Sequence, residues 1–126
     1  MRPNDRSYMK SHEWCKIDGE IATIGITDFA VSHLSDLVFL DLPAAGTNVT
    51  IGESFGEIES VKAVNDLYAP VTGEVVEVNS ELSDNLEWLS EGPFEQAWML
   101  KIKITAQSPD LMDNQAYDAH CAAEGA

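Results

Sequence analysis

The stretch from Trp98 to Thr105 alternates strictly, with Trp98, Leu100, Ile102 and Ile104 facing one way and Met99, Lys101, Lys103 and Thr105 the other. Period two marks a half-buried β-strand, because successive side chains of an extended chain leave opposite faces. Shorter runs repeat the signal. Glu20 to Ile26 sets Ala22, Ile24 and Ile26 against Thr23 and Gly25, Leu37 to Leu42 is an apolar run closed by Pro43, and Val75 to Val78 is β-branched after an expected turn at Pro70 to Gly73. Gly19, Gly46, Gly52, Gly56, Gly73 and Gly92 punctuate the pattern, as turns or close backbone approaches require. Helix signals are few. Thr27 can cap a short helix over Asp28 to Leu34, and Ser80 another to about Asn85. Ser108 as cap, Pro109 in the first helical position and Asp110 behind it predict a C-terminal helix, with Leu111, Met112, Ala116 and Ala119 as its apolar stripe on the sheet. Many short strands at close spacing predict a mainly β fold: a sandwich or barrel of short antiparallel strands with a few peripheral helices and a C-terminal helix.

The chain of 126 residues suits one domain, residues 1–126, with 1–7 and 121–126 expected as flexible ends. Seven Lys plus Arg against 22 Asp plus Glu give a net charge of −15. Such a surface repels phosphate backbones and anionic membranes and suits solubility and steering toward basic protein patches. No apolar run approaches the roughly 18 residues of a membrane span, and MRPNDRSYMK has no secretory apolar region. A cytoplasmic bacterial protein is expected, or a mitochondrial matrix protein if a eukaryotic presequence has been removed. Cys15 and Cys121 form no CxxC and are expected as free, unreactive thiols.

Lys62 is the only Lys or Arg between residues 17 and 100, and it stands among Glu53, Glu57, Glu59, Asp66, Glu74 and Glu77. A surface lysine paired with Glu59 or Asp66 would account for it. The flanks suggest more. FGEIES and DLYAP can form the two strands of a hairpin whose connection is Val61-Lys62-Ala63-Val64-Asn65. A hairpin tip is exposed and reachable by a modifying enzyme, and small Ala63 leaves room for its active site. A lysine amine is also the attachment point for a carboxylic-acid cofactor, which then carries the chemistry while the protein positions it.

The run FGEIESVKAVNDLYAPVTGEVVEVN resembles the lipoyl-attachment region of the H proteins of the glycine cleavage system. Glu59-Ser60-Val61-Lys62-Ala63 matches that family's ESVKA core. Asp66-Leu67-Tyr68, Pro70 and Gly73-Glu74-Val75 match its DLY, Pro and GEV elements on the C-terminal side of that core. Ser11 to Trp14 resembles its HEW opening, Ile21 to Ala30 its GITDFA stretch, and WMLKIKI its Trp-led strand. The similarity spans about residues 8–120. Family members often carry Gly near Ser35 and near Ala97, so turn geometry there is expected to differ.

The resemblance implies a lipoyl/biotinyl-type barrel-sandwich hybrid. In function it implies a non-catalytic carrier with lipoate in amide linkage to Lys62. The carrier would shuttle the aminomethyl group of glycine from the P protein (a pyridoxal-phosphate decarboxylase) to the T protein (an aminomethyltransferase). The L protein (dihydrolipoyl dehydrogenase) would reoxidise it. Lipoate ligase or octanoyltransferase, with lipoyl synthase, would install the arm, and a monomer is expected. Ser11, Glu13 and Asp66 are implied anchors for the cargo amine, with His33 able to line the same cleft. A plain turn hydroxyl at Ser11, a solvated edge-strand carboxylate at Glu13 and a structural His33 are the competing readings. His12 and His120 do not reach metal-ligand spacing with nearby acids, so no metal is expected. The alternative function is an H-like protein relaying lipoate to other lipoyl enzymes. A 2-oxoacid dehydrogenase lipoyl domain would be shorter with DKA at the lysine, a biotin carrier would flank it with methionines, and an enzyme would need a triad, phosphate loop or metal cluster that the sequence lacks.

Overall fold

The computed structural model describes residues 3–34 and 36–124. The chain is mainly β and forms two antiparallel sheets that do not close into a barrel. Six strands make the larger sheet: β1 (Ser7–Tyr8), β2 (Glu13–Asp18), β3 (Ile21–Ile26), β5 (Asn48–Val49), β8 (Val71–Val78) and β9 (Leu100–Gln107), in the order β1-β2-β3-β9-β8-β5. The smaller sheet is β4 (Leu37–Asp41), β6 (Ser54–Ser60) and β7 (Val64–Tyr68), in the order β4-β6-β7. Leu40, Ile58 and Leu67 from the smaller sheet share one core with Ile24, Val75 and Ile102 from the larger. This burial on both inner faces is what holds the layers together. No helix among the described residues is long and apolar enough to cross a membrane.

The predicted strands appear, with shifts at their ends. The alternation around Trp98 starts later than expected. β9 begins at Leu100, and Met99, placed on the polar face, is fully buried with Leu100. Met99 lies before the regular strand, where alternation does not bind its side chain, and its N–H donates to the carbonyl of Ile24 at 2.7 Å. The turn expected at Pro70 to Gly73 is already strand, because β8 starts at Val71. Gly73 is needed there for a different reason: a Cβ at this position would collide with the carbonyl oxygen of Lys103 on β9. Close backbone approach, not a bend, demands the glycine.

Among the described residues three short helices fill the ends: α1 (Asp28–Ser32), α2 (Trp88–Glu91) and α3 (Asn114–Ala123), with a 3₁₀ turn at Leu82–Asp84. Thr27 caps α1 as expected, its hydroxyl accepting from the N–H of Ala30 at 3.3 Å. Ser80 caps nothing, since Glu81 precedes the 3₁₀ turn without a side-chain bond. The C-terminal helix starts five residues beyond the expected Pro109. Its cap is Asp113, which accepts from the N–H of Ala116 at 2.8 Å, and its buried residues are Asn114, Tyr117 and Cys121 rather than the expected stripe. The delay has a visible cause. Tyr8 and Met112 exchange backbone hydrogen bonds at 2.8 Å in both directions, which keeps that stretch extended.

α3 covers a second, aromatic core of Tyr8, Trp14, Phe29, Tyr117 and Cys121. Within the two ends, Ser7 lies in β1 and Cys121 to Ala123 lie in α3. Arg6 is also held: its guanidinium lies 4.7 Å from the Trp14 ring and donates to the carbonyl of Phe94 at 2.7 Å. Both cysteines are free and buried, and burial pushes the Cys15 thiol up to about 12. Ser35 lies outside the described residues. Ala97 is buried and is not among the residues with positive φ, so the glycine-like backbone is not required of it.

Candidate functional site

β6 and β7 pair through Glu57 with Asp66, Ile58 with Asn65 and Glu59 with Val64, so the chain reverses over Val61 to Ala63, and Val64 and Asn65, expected in the connection, are already strand. The reversal is fixed by its backbone. The N–H of Ser60 donates to the Ala63 carbonyl at 2.9 Å, that of Ala63 to the Ser60 hydroxyl at 3.2 Å, and that of Val61 to the Asp36 carbonyl at 3.1 Å. Lys62 sits at the tip with its side chain exposed. Among the described residues it makes no ion pair. Asp66, one of the partners that would have explained it, instead accepts a hydrogen bond from the Ser54 hydroxyl at 3.3 Å. The tip is thus a hydrogen-bonded turn bearing an amine that no carboxylate pairs among the described residues.

The hairpin forms one wall of a cleft of about 870 Å³. Lys62, Asp66, Ser11, Glu13 and His33 all line it, so the fold brings together every site residue expected from the sequence. Ile58 and Leu67 supply apolar floor.

Glu13 is the unusual member. A turn makes it so: the N–H of His12 donates to the Met9 carbonyl and the N–H of Met9 to the Glu13 carbonyl, both at 2.9 Å, and β2 then starts at Glu13, opposite Ile26. β2 lies between β1 and β3, so it is not an edge strand, and Glu13 is 1 % exposed. This overturns the reading of a solvated edge carboxylate. One oxygen accepts from the Ser11 hydroxyl and the other from the N–H of Tyr68 at 2.9 Å. Burial outweighs these two donors and raises the carboxyl to about 7. Ser11 is therefore more than a turn hydroxyl, since it orients that carboxylate. A carboxyl poised there exchanges a proton near neutrality or takes a cation in its place.

His33 closes α1. Its ring lies 4.4 Å from that of Phe29, and its Nδ1 is 2.9 Å from the Phe29 carbonyl, which serves as acceptor. That bond engages Nδ1 in closing the helix, while the residue also lines the cleft.

Three participants escaped the sequence reading. The backbone N–H of Tyr68 carries no side-chain signal. Glu124, near the chain end, also lines the cleft. His12, beside it, was expected not to reach metal-ligand spacing with His120 and nearby acids. The fold corrects that: ligand atoms of His12, His120 and Glu124 lie within 4.8 Å of one another. Residues over a hundred positions apart in the chain meet because α3 folds back over the turn before β2.

Two antiparallel sheets around one core, presenting a lone exposed lysine on a fixed hairpin over a carboxylate-lined cleft, define a small carrier-type β domain. The particular family follows from a match over residues 6–124 to the model of the Glycine cleavage H-protein, and the chain belongs to that family. It is 48 % identical over 115 residues to the glycine cleavage system H protein of Rubrobacter xylanophilus, covering 91 % of this chain and 90 % of that protein. It is 50 % identical over 117 residues to that of Halalkalibacterium halodurans, covering 91 % of each. A crystal structure of a glycine cleavage system H protein from Mycobacterium marinum superposes with a TM-score of 0.88 at 37 % identity, covering 99 % of this chain and all of that one.

Proposed function

We propose that this chain is the lipoylated carrier of a glycine cleavage system, with lipoate in amide linkage to Lys62, and that it catalyses no step itself. The observation that carries this is the exposed Lys62 amine, without an ion-pair partner among the described residues, on a backbone-locked hairpin tip beside the Glu13 cleft. An amine so placed fits an acylating enzyme: it needs no rescue from a carboxylate, and its neighbour Ala63 is small. When bound, lipoate supplies the disulfide that accepts the aminomethyl group of glycine and two electrons.

The residues of the cleft bind and shelter. Glu13 faces an arriving ammonium with a buried carboxyl whose proton is easily surrendered near neutrality, and the ion pair so formed replaces the lost hydration. The Ser11 hydroxyl and the Tyr68 N–H hold the carboxylate in one orientation, so little reorganisation accompanies binding. Asp66 adds negative charge at the rim, and Ile58 with Leu67 keeps water from the floor. The partners in this reading are the P protein, from which cargo is received, the T protein, to which it is delivered, and the L protein, which restores the oxidised arm. A ligase or octanoyltransferase with lipoyl synthase installs the arm.

Intact mass tests the attachment. Protein co-expressed with a lipoate ligase and supplied with lipoate is expected to gain one lipoyl amide, about 188 Da, at Lys62. Lys62→Arg is expected to gain nothing, because arginine keeps the cation but does not form that amide. A gain that persists in the variant refutes the site.

A further inference from the structure

The geometry points to a divalent-metal site of the zinc class, formed by His12, His120 and Glu124 at the rim of the cleft. His12 Nε2 lies 3.0 Å from Glu124 Oε2, and His120 Nε2 lies 3.1 Å from Glu124 Oε1. Zinc bonds of about 2.0–2.2 Å to nitrogen and oxygen set neighbouring ligands roughly 3–3.5 Å apart, and each imidazole already lies at that separation from one oxygen of the Glu124 carboxylate. One ligand atom from each of the three residues falls within 4.8 Å of the others, a span that an ion would tighten by drawing in the exposed Glu124 side chain. Two imidazoles and a carboxylate suit zinc better than calcium or magnesium, which prefer all-oxygen shells. His120 Nε2 lies 3.1 Å from the Lys10 carbonyl, which accepts its hydrogen; metal binding displaces that hydrogen and leaves the carbonyl oxygen beside the ion.

The surroundings resemble a built site more than a chance ion pair. His120 and Glu124 are four residues apart at the end of α3 and so share one face. His12 reaches them from the opposing turn at φ 80°, a conformation sparsely populated by residues other than glycine. Its second nitrogen, Nδ1, lies 2.7 Å from the Tyr117 hydroxyl, which in turn lies 2.6 Å from that of Thr27. A metal on Nε2 selects the tautomer in which Nδ1–H donates to the Tyr117 hydroxyl, and that hydroxyl is itself tied to Thr27. Tyr117 is fully buried and stacked on Tyr8 at 4.8 Å. An ion here joins the turn carrying Ser11 and Glu13 to the last turn of α3. The site asks nothing of Lys62, so it stands or falls separately from lipoylation.

The test uses tag-free full-length protein stripped with EDTA, titrated with zinc by calorimetry and with cobalt by visible absorption. The expected result is one equivalent bound at micromolar metal, a cobalt ligand-field band, and a melting temperature raised by zinc. His120→Ala and Glu124→Gln change half-buried and exposed side chains, and circular dichroism checks their folding. Each is expected to weaken zinc binding by at least about tenfold and to abolish the thermal shift. No binding at micromolar zinc overturns the proposal. So does wild-type affinity in either variant, which would assign the ion to scattered surface carboxylates.

Discussion

The carboxylate of Glu13 accepts the backbone N–H of Tyr68 at 2.9 Å, a bond between residues 55 positions apart. It ties β2 of the larger sheet to the end of β7 in the smaller one, on the floor of the cleft. The same carboxylate takes the Ser11 hydroxyl on its other oxygen. Structure and chemistry therefore share one group: the carboxyl that joins the sheets is the one whose basicity burial has raised. Charged groups are seldom placed so deep without a use.

That burial has a pH signature. The Glu13 carboxyl is raised from 4.5 to about 7 on folding, so between those values the folded chain keeps a proton that the unfolded chain has lost. The stabilisation is complete below about 4.5 and is lost as pH rises through about 7. In EDTA, wild-type stability measured against Glu13→Gln is expected to fall by on the order of 3 kcal/mol at most across that window. Urea unfolding at a series of pH values reads it. Parallel pH profiles for the two proteins would show that the carboxyl titrates normally.

Gly25 is set against the Trp14 indole on the neighbouring strand. A Cβ there would come within 2.6 Å of Trp14 Cζ2 and 2.8 Å of its Nε1. The indole has little freedom to retreat, because its N–H is shared between the carbonyls of Ile26 at 3.1 Å and Pro93 at 3.0 Å. Gly25→Ala is expected to destabilise by about 1–3 kcal/mol. A shift in urea midpoint too small for that range would mean that the aromatic core repacks easily.

The start of α3 separates two candidate caps. Asp113→Ala removes the acceptor for the Ala116 N–H and is expected to cost about 1 kcal/mol. Ser108→Ala removes only the acceptor of one turn bond, from the Asp110 N–H at 3.2 Å, and is expected to cost less. The reverse order in thermal unfolding would place the helix start at Pro109.

Lys62 bears on modification without bearing on folding. Its side chain is exposed and joins no ion pair among the described residues, so Lys62→Arg is expected to change unfolding free energy by less than about 0.5 kcal/mol. Normal unfolding together with absent lipoyl mass would separate attachment from stability. A large loss of stability would mean that the amine has a structural role.

Much of this was legible in the residues. Alternation at Ala22, Ile24 and Ile26 and at Leu100, Ile102 and Ile104 identified central strands because burial of one face imposes a two-residue period that no tertiary detail can erase. The Thr27 cap was legible because capping is local. Lys62 stood out as a solitary cation between strand-forming flanks, which is also a local property. The capping signal at Ser108 failed for the opposite reason. It competes with the backbone pairing of Tyr8 and Met112, and no local pattern records a partner 104 positions away in the chain.

Sequence by itself settled the strand-rich class, the hairpin and the residue at its tip, since these follow from periodicity and nearest neighbours. Only the tertiary structure decided that Glu13 is buried rather than solvated, and that His12 meets His120 and Glu124. It also decided that Gly73 serves a close approach rather than a turn. Each of these depends on what the fold lays over a residue from a distant part of the chain, and desolvation and contact are properties of that covering, not of the residue.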